Sequence, residues 1–303
     1  MKNLLKRTIS SLVFGAIMLL AFLSDKLLGY YGVSAEISQL CGKLIFGGVF
    51  LFALVVMMRE FLKMTCGTNY RYSQILSILA GATLFVLAFL YKGFGLPGKL
   101  VILAFIPVFI LMINSLYVKD KSRFDIFANL YTAILYIAVP WSLLNFAVFN
   151  PDTEEFNGIL LLCFFCLIWA SDVGAYIFGI SLGQKYGKKL FPSISPKKSW
   201  IGFWGGMFTA IGISLALYFT GLFPLRGESE LYSIIHCIAL AVLIVVAGVY
   251  GDLIESQWKR HYNVKDSGNI IPGHGGLLDR FDSALIAIPV AIIYLVAADC
   301  LFC

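Results

Sequence analysis

Charge is what this chain has least of. Asp, Glu, Lys and Arg make up 13% of its residues, about half the roughly 25% of an ordinary soluble domain. Hydrophobic residues make up 60% and the mean hydropathy is +0.87. That balance excludes a soluble domain, and 303 residues are too many for a single membrane anchor. Histidine is scarce as well. His236, His261 and His274 are too dispersed to suggest a zinc site. The seven cysteines are odd in number and most lie in apolar runs, which argues against a disulfide framework. Cys163 and Cys166 have CxxC spacing, but their setting, LLLCFFCLIWA, is an apolar helix with no histidine nearby, so packing is the expected role. No internal repeat or low-complexity tract is present.

What the chain has instead is long apolar runs. A helix needs about 17 to 25 apolar residues to cross roughly 30 Å of hydrocarbon. Nine runs qualify, near residues 9–24, 44–62, 74–91, 100–118, 127–149, 158–180, 201–223, 234–254 and 283–301. The expected fold is an all-α polytopic membrane protein. Residues 1–150 supply five packing helices and residues 151–303 the remaining helices with the chemistry, within a single membrane domain. The first run, Ser11 to Leu23 behind Lys6 and Arg7, resembles a signal peptide. No small-x-small cleavage site follows, so an uncleaved first helix is expected.

A net charge of +6 could suggest nucleic acid, but the basic residues alternate with the helices as the positive-inside rule requires. With the N-terminus inside, the inner segments carry Lys2, Lys6 and Arg7; Arg59, Lys63 and Arg71; Lys119, Lys121 and Arg123; Lys185, Lys188, Lys189, Lys197 and Lys198; and Lys259, Arg260, Lys265 and Arg280. The outer segments carry only Lys26, Lys43, Lys92, Lys99 and Arg226. Nine crossings then put the N-terminus in the cytoplasm and the C-terminus outside, with no nucleic-acid partner.

The polar exceptions in the first half, Arg59, Glu60 and Asn114, read as interfacial or packing residues. The second half holds three richer clusters. In WASDVGAYIFG, Asp172 interrupts an apolar helix, and a carboxylate there costs at least about 2.5 to 3.5 kcal/mol on insertion scales. In FPSISPKKSWIGFWGG, Ser193, Ser195, Lys197, Lys198 and Ser199 lie near the start of the seventh helix, where hydroxyls, amides and lysines suit phosphate oxygens. The third runs from Gly251 and Asp252 through SQWKRHYNVKDSGNIIPGHGGLLDRFD, Ser256 to Asp282. Helical spacing puts Asp252, Ser256, Lys259 and Arg260 near one face, and Asp279 and Asp282 are three apart. Gly268, Pro272, Gly273, Gly275 and Gly276 make a loop whose backbone can approach a ligand. Carboxylates without cysteine suit a hard cation such as Mg2+.

These residues resemble the bacterial-type CDP-diacylglycerol synthases, or phosphatidate cytidylyltransferases. Ser256, Lys259, Arg260, Lys265, Asp266, Gly268, Pro272, His274, Gly275, Gly276, Asp279, Arg280 and Asp282 fill that family's signature in register. The Asp172 and Lys197–Lys198 segments resemble two further family segments, so the resemblance covers roughly residues 169–283. Val173 stands where these enzymes often carry Thr, and Ile201 where Glu is expected. The resemblance implies transfer of CMP from CTP to phosphatidate with release of pyrophosphate, through metal-assisted in-line attack of the lipid phosphate on the α-phosphorus of CTP. It implies Mg2+ on Asp252, Asp279 and Asp282, with a monovalent cation as an open addition, and a homodimer. Catalytic roles are expected for these carboxylates with Lys259 and Arg260. Substrate contacts are expected for Ser195, Lys197, Lys198, Ser256, Lys265, Asp266, His274 and Arg280. CTP is soluble and phosphatidate is a lipid, so the expected site is a polar cavity at the cytoplasmic face of a bacterial inner membrane. Two rivals fit parts of the pattern. A CTP-dependent lipid kinase would share the charged loops, and an ion-coupled transporter would use Asp172 and Asp252 as cation sites.

Overall fold

A computed structural model describes residues 2–118, 124–150, 152–184, 187–223, 229–273 and 275–298, the side chains of residues 2–7 excepted. Lys119, Lys121, Arg123, Lys185, Arg226 and His274, all named above, therefore lie outside the described residues, as do the side chains of Lys2, Lys6 and Arg7.

Among the described residues, nine helical stretches are long and apolar enough to cross a membrane, and they coincide with the nine apolar runs. They are α1 (Thr8–Tyr30), α2 (Ala35–Cys66), α3 (Arg71–Phe94), α4 (Gly98–Tyr117), α5 (Ile126–Val148), α6 (Ile159–Gly183), α7 (Trp200–Phe219), α8 (Glu230–His261) and a ninth, Leu278–Ala297. The ninth is built of two pieces, α9 (Leu278–Phe281) and α10 (Ala284–Ala297). The protein is a multi-pass membrane protein.

Local sequence shapes these helices. In α5 the residues Ile134–Ala138 form a π-helical turn just ahead of Pro140. Proline lacks the N–H that would bond four residues back and its ring crowds that carbonyl, so the widened turn relieves the clash. A second π turn, Gly179–Gly183, ends α6. A short antiparallel pair follows it, β1 (Lys189–Phe191) with β2 (Ser195–Ser199). Sequence reading did not foresee these strands. Pro196 in β2 has no N–H to donate, which such a two-stranded edge tolerates.

The chain forms two compact units, one of residues 1–158 and 262–281, the other of residues 159–261 and 282–303. The first is centred on aromatic packing. Phe46 stacks on Phe50 at 4.6 Å and Phe50 on Trp141 at 5.3 Å, and the buried indole N–H of Trp141 donates to Phe50 O at 2.8 Å. Phe281, at the end of α9, is held in this unit by Trp141 and Phe14 at 4.8 and 5.6 Å. The second unit packs α6 against α7 through small residues. A Cβ at Gly206 would lie 2.7 Å from Ser171 O, and one at Gly202 would lie 2.9 Å from Ala175 O. Such close backbone approach supplies the contact area that a lipid environment does not favour through hydrophobicity. Cys163 is buried there with its thiol 3.7 Å from Leu222 O, in keeping with the packing role expected for it.

Candidate active site

In the second unit α8 runs unbroken from Glu230 to His261, which carries Asp252 and Ser256 on one face. The Ser256 hydroxyl donates to Asp252 Oδ1 at 3.1 Å. Asp252 Oδ2 is 2.6 Å from the Lys198 ammonium, which β2 delivers. Gly251 lets the start of the ninth span approach, since a Cβ there would lie 2.5 Å from Asp282 O. That contact brings Asp282 within electrostatic range of Asp252, and the charges of Lys259 and Asp172 act on it as well. Asp282 is half-buried, and its Oδ1 accepts from the Ser283 N–H at 2.6 Å.

Beside this carboxylate pair lies an open cavity of about 420 Å³ whose lining includes Asp172, Tyr176, Gln184, Lys197, Lys198 and Phe203. Lys198 belongs both to that lining and to the ion pair with Asp252. The strand bearing the two lysines is fastened to the π turn of α6. Gln184 donates through Nε2 to Lys197 O at 2.9 Å and accepts at Oε1 from Lys189 at 2.7 Å. Ser199 serves α7 as its N-cap, accepting from the Gly202 N–H at 3.2 Å. Ser195 starts β2 opposite Phe191. Lys259 pairs with Glu255, which is only 1% exposed, while Arg260 faces outward.

The first unit holds the rest of the signature. Asp279 orders the glycine-bearing loop. Its Oδ2 accepts from the Ser267 N–H at 3.0 Å, the Ser267 hydroxyl at 3.0 Å and the Gly276 N–H at 2.8 Å. Gly275 has φ +85°, and a Cβ there would lie 2.7 Å from Asp279 Oδ2. Only glycine satisfies both conditions. Lys265, Asp266 and Arg280 are exposed at the foot of this loop.

Four polar residues escaped the sequence reading of the site. Glu255, Gln184 and Ser267 carry no motif of their own, and Glu60 reads from sequence as an interfacial or packing residue. The i, i+4 spacing of Glu255 and Lys259 is the signal the sequence offers for Glu255.

The donor set fits a hard divalent cation. Asp252 and Asp282 act on each other as like charges, a repulsion that a cation relieves and an apolar environment does not. Among the described residues no cluster of three or more His, Cys, Asp or Glu is gathered about one point.

Residues 6–298 match the Cytidylyltransferase family. The phosphatidate cytidylyltransferase of Bacillus subtilis (strain 168) is 38% identical over 187 residues, 62% of this chain and 65% of that protein. The one from Rickettsia bellii (strain RML369-C) is 39% identical over 164 residues, 53% of this chain and 66% of its own. The one from Staphylococcus aureus (strain COL) is 37% identical over 188 residues, covering 61% and 66%. The chain thus spans just under two thirds of the length of these relatives, at 65 to 66%.

Proposed function

The chain belongs to the cytidylyltransferase family, and from that premise we propose that it transfers CMP from CTP to phosphatidate, giving CDP-diacylglycerol and pyrophosphate. The observation that carries this reading is the Lys198–Asp252 pair at 2.6 Å, with Asp282 beside it and the lysine-lined cavity adjoining. The substrates come from the names of the relatives and from the fit of this site to two phosphate-bearing molecules.

The lipid phosphate carries about −1.5 to −2 charge near neutral pH, by analogy with other phosphomonoesters, so its oxygen is already a nucleophile. The obstacle is repulsion between two anions, and the residues of the site are suited to lowering it. Lys197 and Lys198 place positive charge on the cavity wall, where each can meet a phosphate oxygen. Because Lys198 rests on Asp252, an arriving phosphate competes for its ammonium and loosens the carboxylate for another cation. Lys259, held by buried Glu255, keeps a positive charge near Asp282. Arg260, Lys265 and Arg280 are the further phosphate contacts we assign, with Ser195 and Ser256 as hydroxyl donors and Asp266 as an added polar contact at the loop. A divalent cation, Mg2+ in our reading, would be held by Asp252 and Asp282 and would neutralise charge developing on the leaving pyrophosphate, and Asp279, ordered by the loop amides, is a further metal-binding carboxylate in our reading. We further propose that the site opens to the cytoplasmic face of a bacterial inner membrane, as the Lys and Arg alternation supports.

The test is transfer itself. Purified protein given phosphatidate, Mg2+ and CTP labelled in the cytidine should place the label in the lipid fraction. Unlabelled lipid in the presence of consumed CTP would point to a kinase instead.

A further inference from the structure

Helix α2 carries one buried carboxylate that the transfer scheme above does not use. Glu60 is 8% exposed near the end of a membrane-spanning helix, where a carboxylate is costly to keep without partners. Among the described residues, its hydrogen-bond partners belong to the signature loop. Glu60 Oε2 accepts from the Leu278 N–H at 2.8 Å and from the Ser267 hydroxyl at 3.4 Å. The same hydroxyl lies 3.0 Å from Asp279 Oδ2, so its single proton is shared between the two carboxylates and one serine bridges Glu60 and Asp279.

Ser267 and Leu278 are the two ends of the loop, so a single carboxylate oxygen closes its neck. The glycines fit this arrangement. A Cβ at Gly276 would lie 2.6 Å from Glu60 Oε2, and one at Gly268 would collide with Glu60 Oε1. Farther out, the Ile271 N–H donates to Gly275 O at 3.1 Å, and the Ser10 hydroxyl donates to Pro272 O at 3.2 Å. The loop is therefore fastened at its neck by α2 and near its tip by α1.

We propose that Glu60 is a positioning residue for the transfer reaction: it locks the neck of the Ser267–Leu278 loop and thereby fixes Asp279 inside the neck, with Asp266 and Arg280 on its flanks. It touches no substrate and acts only through these residues. The kinetic arm of the test rests on the cytidylyltransferase reading, and the exchange arm does not.

Hydrogen exchange of the full-length protein in nanodiscs, peptide by peptide, is measured together with turnover of cytidine-labelled CTP. Glu60→Ala should speed exchange across residues 262–281 by about 10- to 100-fold, the range expected for loss of a hydrogen bond to a charged group. Exchange in α6 to α8 should be unchanged, and turnover should fall by a similar factor. Glu60→Gln, whose amide oxygen can accept both bonds, should restore the protection and most of the turnover. Wild-type exchange in the loop of Glu60→Ala would overturn the proposal. Faster exchange with undiminished turnover would overturn it too, as would loosening that spreads through the whole chain. Should Glu60→Ala fail to fold, Ser267→Ala removes the bridge while Glu60 keeps Leu278, and an unchanged loop in that variant would be equally decisive. If the wild-type protein labels no lipid, the functional reading fails while the exchange arm still decides whether Glu60 locks the loop.

Discussion

At the scale of single residues, the account rests on Asp252, Asp282 and Lys198. Asp252→Asn or Asp282→Asn should lower turnover at least about 100-fold, the scale on which preorganised charge at a reacting centre acts. Because each change keeps side-chain size, both variants should still elute as a single folded species in size-exclusion chromatography. Lys198→Ala removes a charge-assisted contact and should reduce kcat/KM by about 10- to 100-fold, measured by initial rates over a range of CTP concentrations. Ile201→Glu restores the acid expected at that position and should leave turnover unchanged or raised. A large loss would mean that the first turn of α7 has repacked around isoleucine. Asp252, Asp282 and the two lysines were legible in the sequence because charge is rare in this chain and these residues repeat a known spacing. Glu60 was not legible, because its partners lie 207 and 218 residues away. A lone acid beside Arg59 at a helix end looks the same whether it faces the interface or a loop.

At the scale of elements, the nine helices could be read from apolar runs because membrane thickness fixes their length. The β1–β2 pair could not. Strands of three and five residues, one containing proline, show no alternation long enough to recognise. That pair matters, since β2 delivers Lys198 to Asp252. The other critical contact is Gly251 of α8 against the turn at Asp282 and Ser283, where a Cβ would lie 2.5 Å from Asp282 O. Gly251→Ala should force these backbones apart at about 1 to 3 kcal/mol, the usual range for overpacking. The expected outcome is a lower thermal midpoint in detergent together with reduced turnover, whereas an unchanged midpoint would deny that close approach.

At the scale of the whole molecule, the proposed transfer from cytosolic CTP requires one topology, with the site on the cytoplasmic side. In a cysteine-free background, Ser193→Cys, exposed between β1 and β2, should resist a membrane-impermeant maleimide in intact cells and react once the membrane is opened. Asp152→Cys, in the acidic segment after α5, should react in intact cells. The reverse pattern would place the site on the wrong side for cytosolic CTP. The central claim, cytidylyl transfer at the Asp252–Asp282 pair, is tested most directly by one assay. CTP carrying one label in the cytidine and another in the γ-phosphate is given to the wild-type protein and to Asp282→Asn, with phosphatidate and Mg2+. The account predicts cytidine label in the lipid and γ-phosphate label in released pyrophosphate for the wild type, and neither for the variant. Label from the γ-phosphate in the lipid, or equal transfer by both proteins, would contradict it.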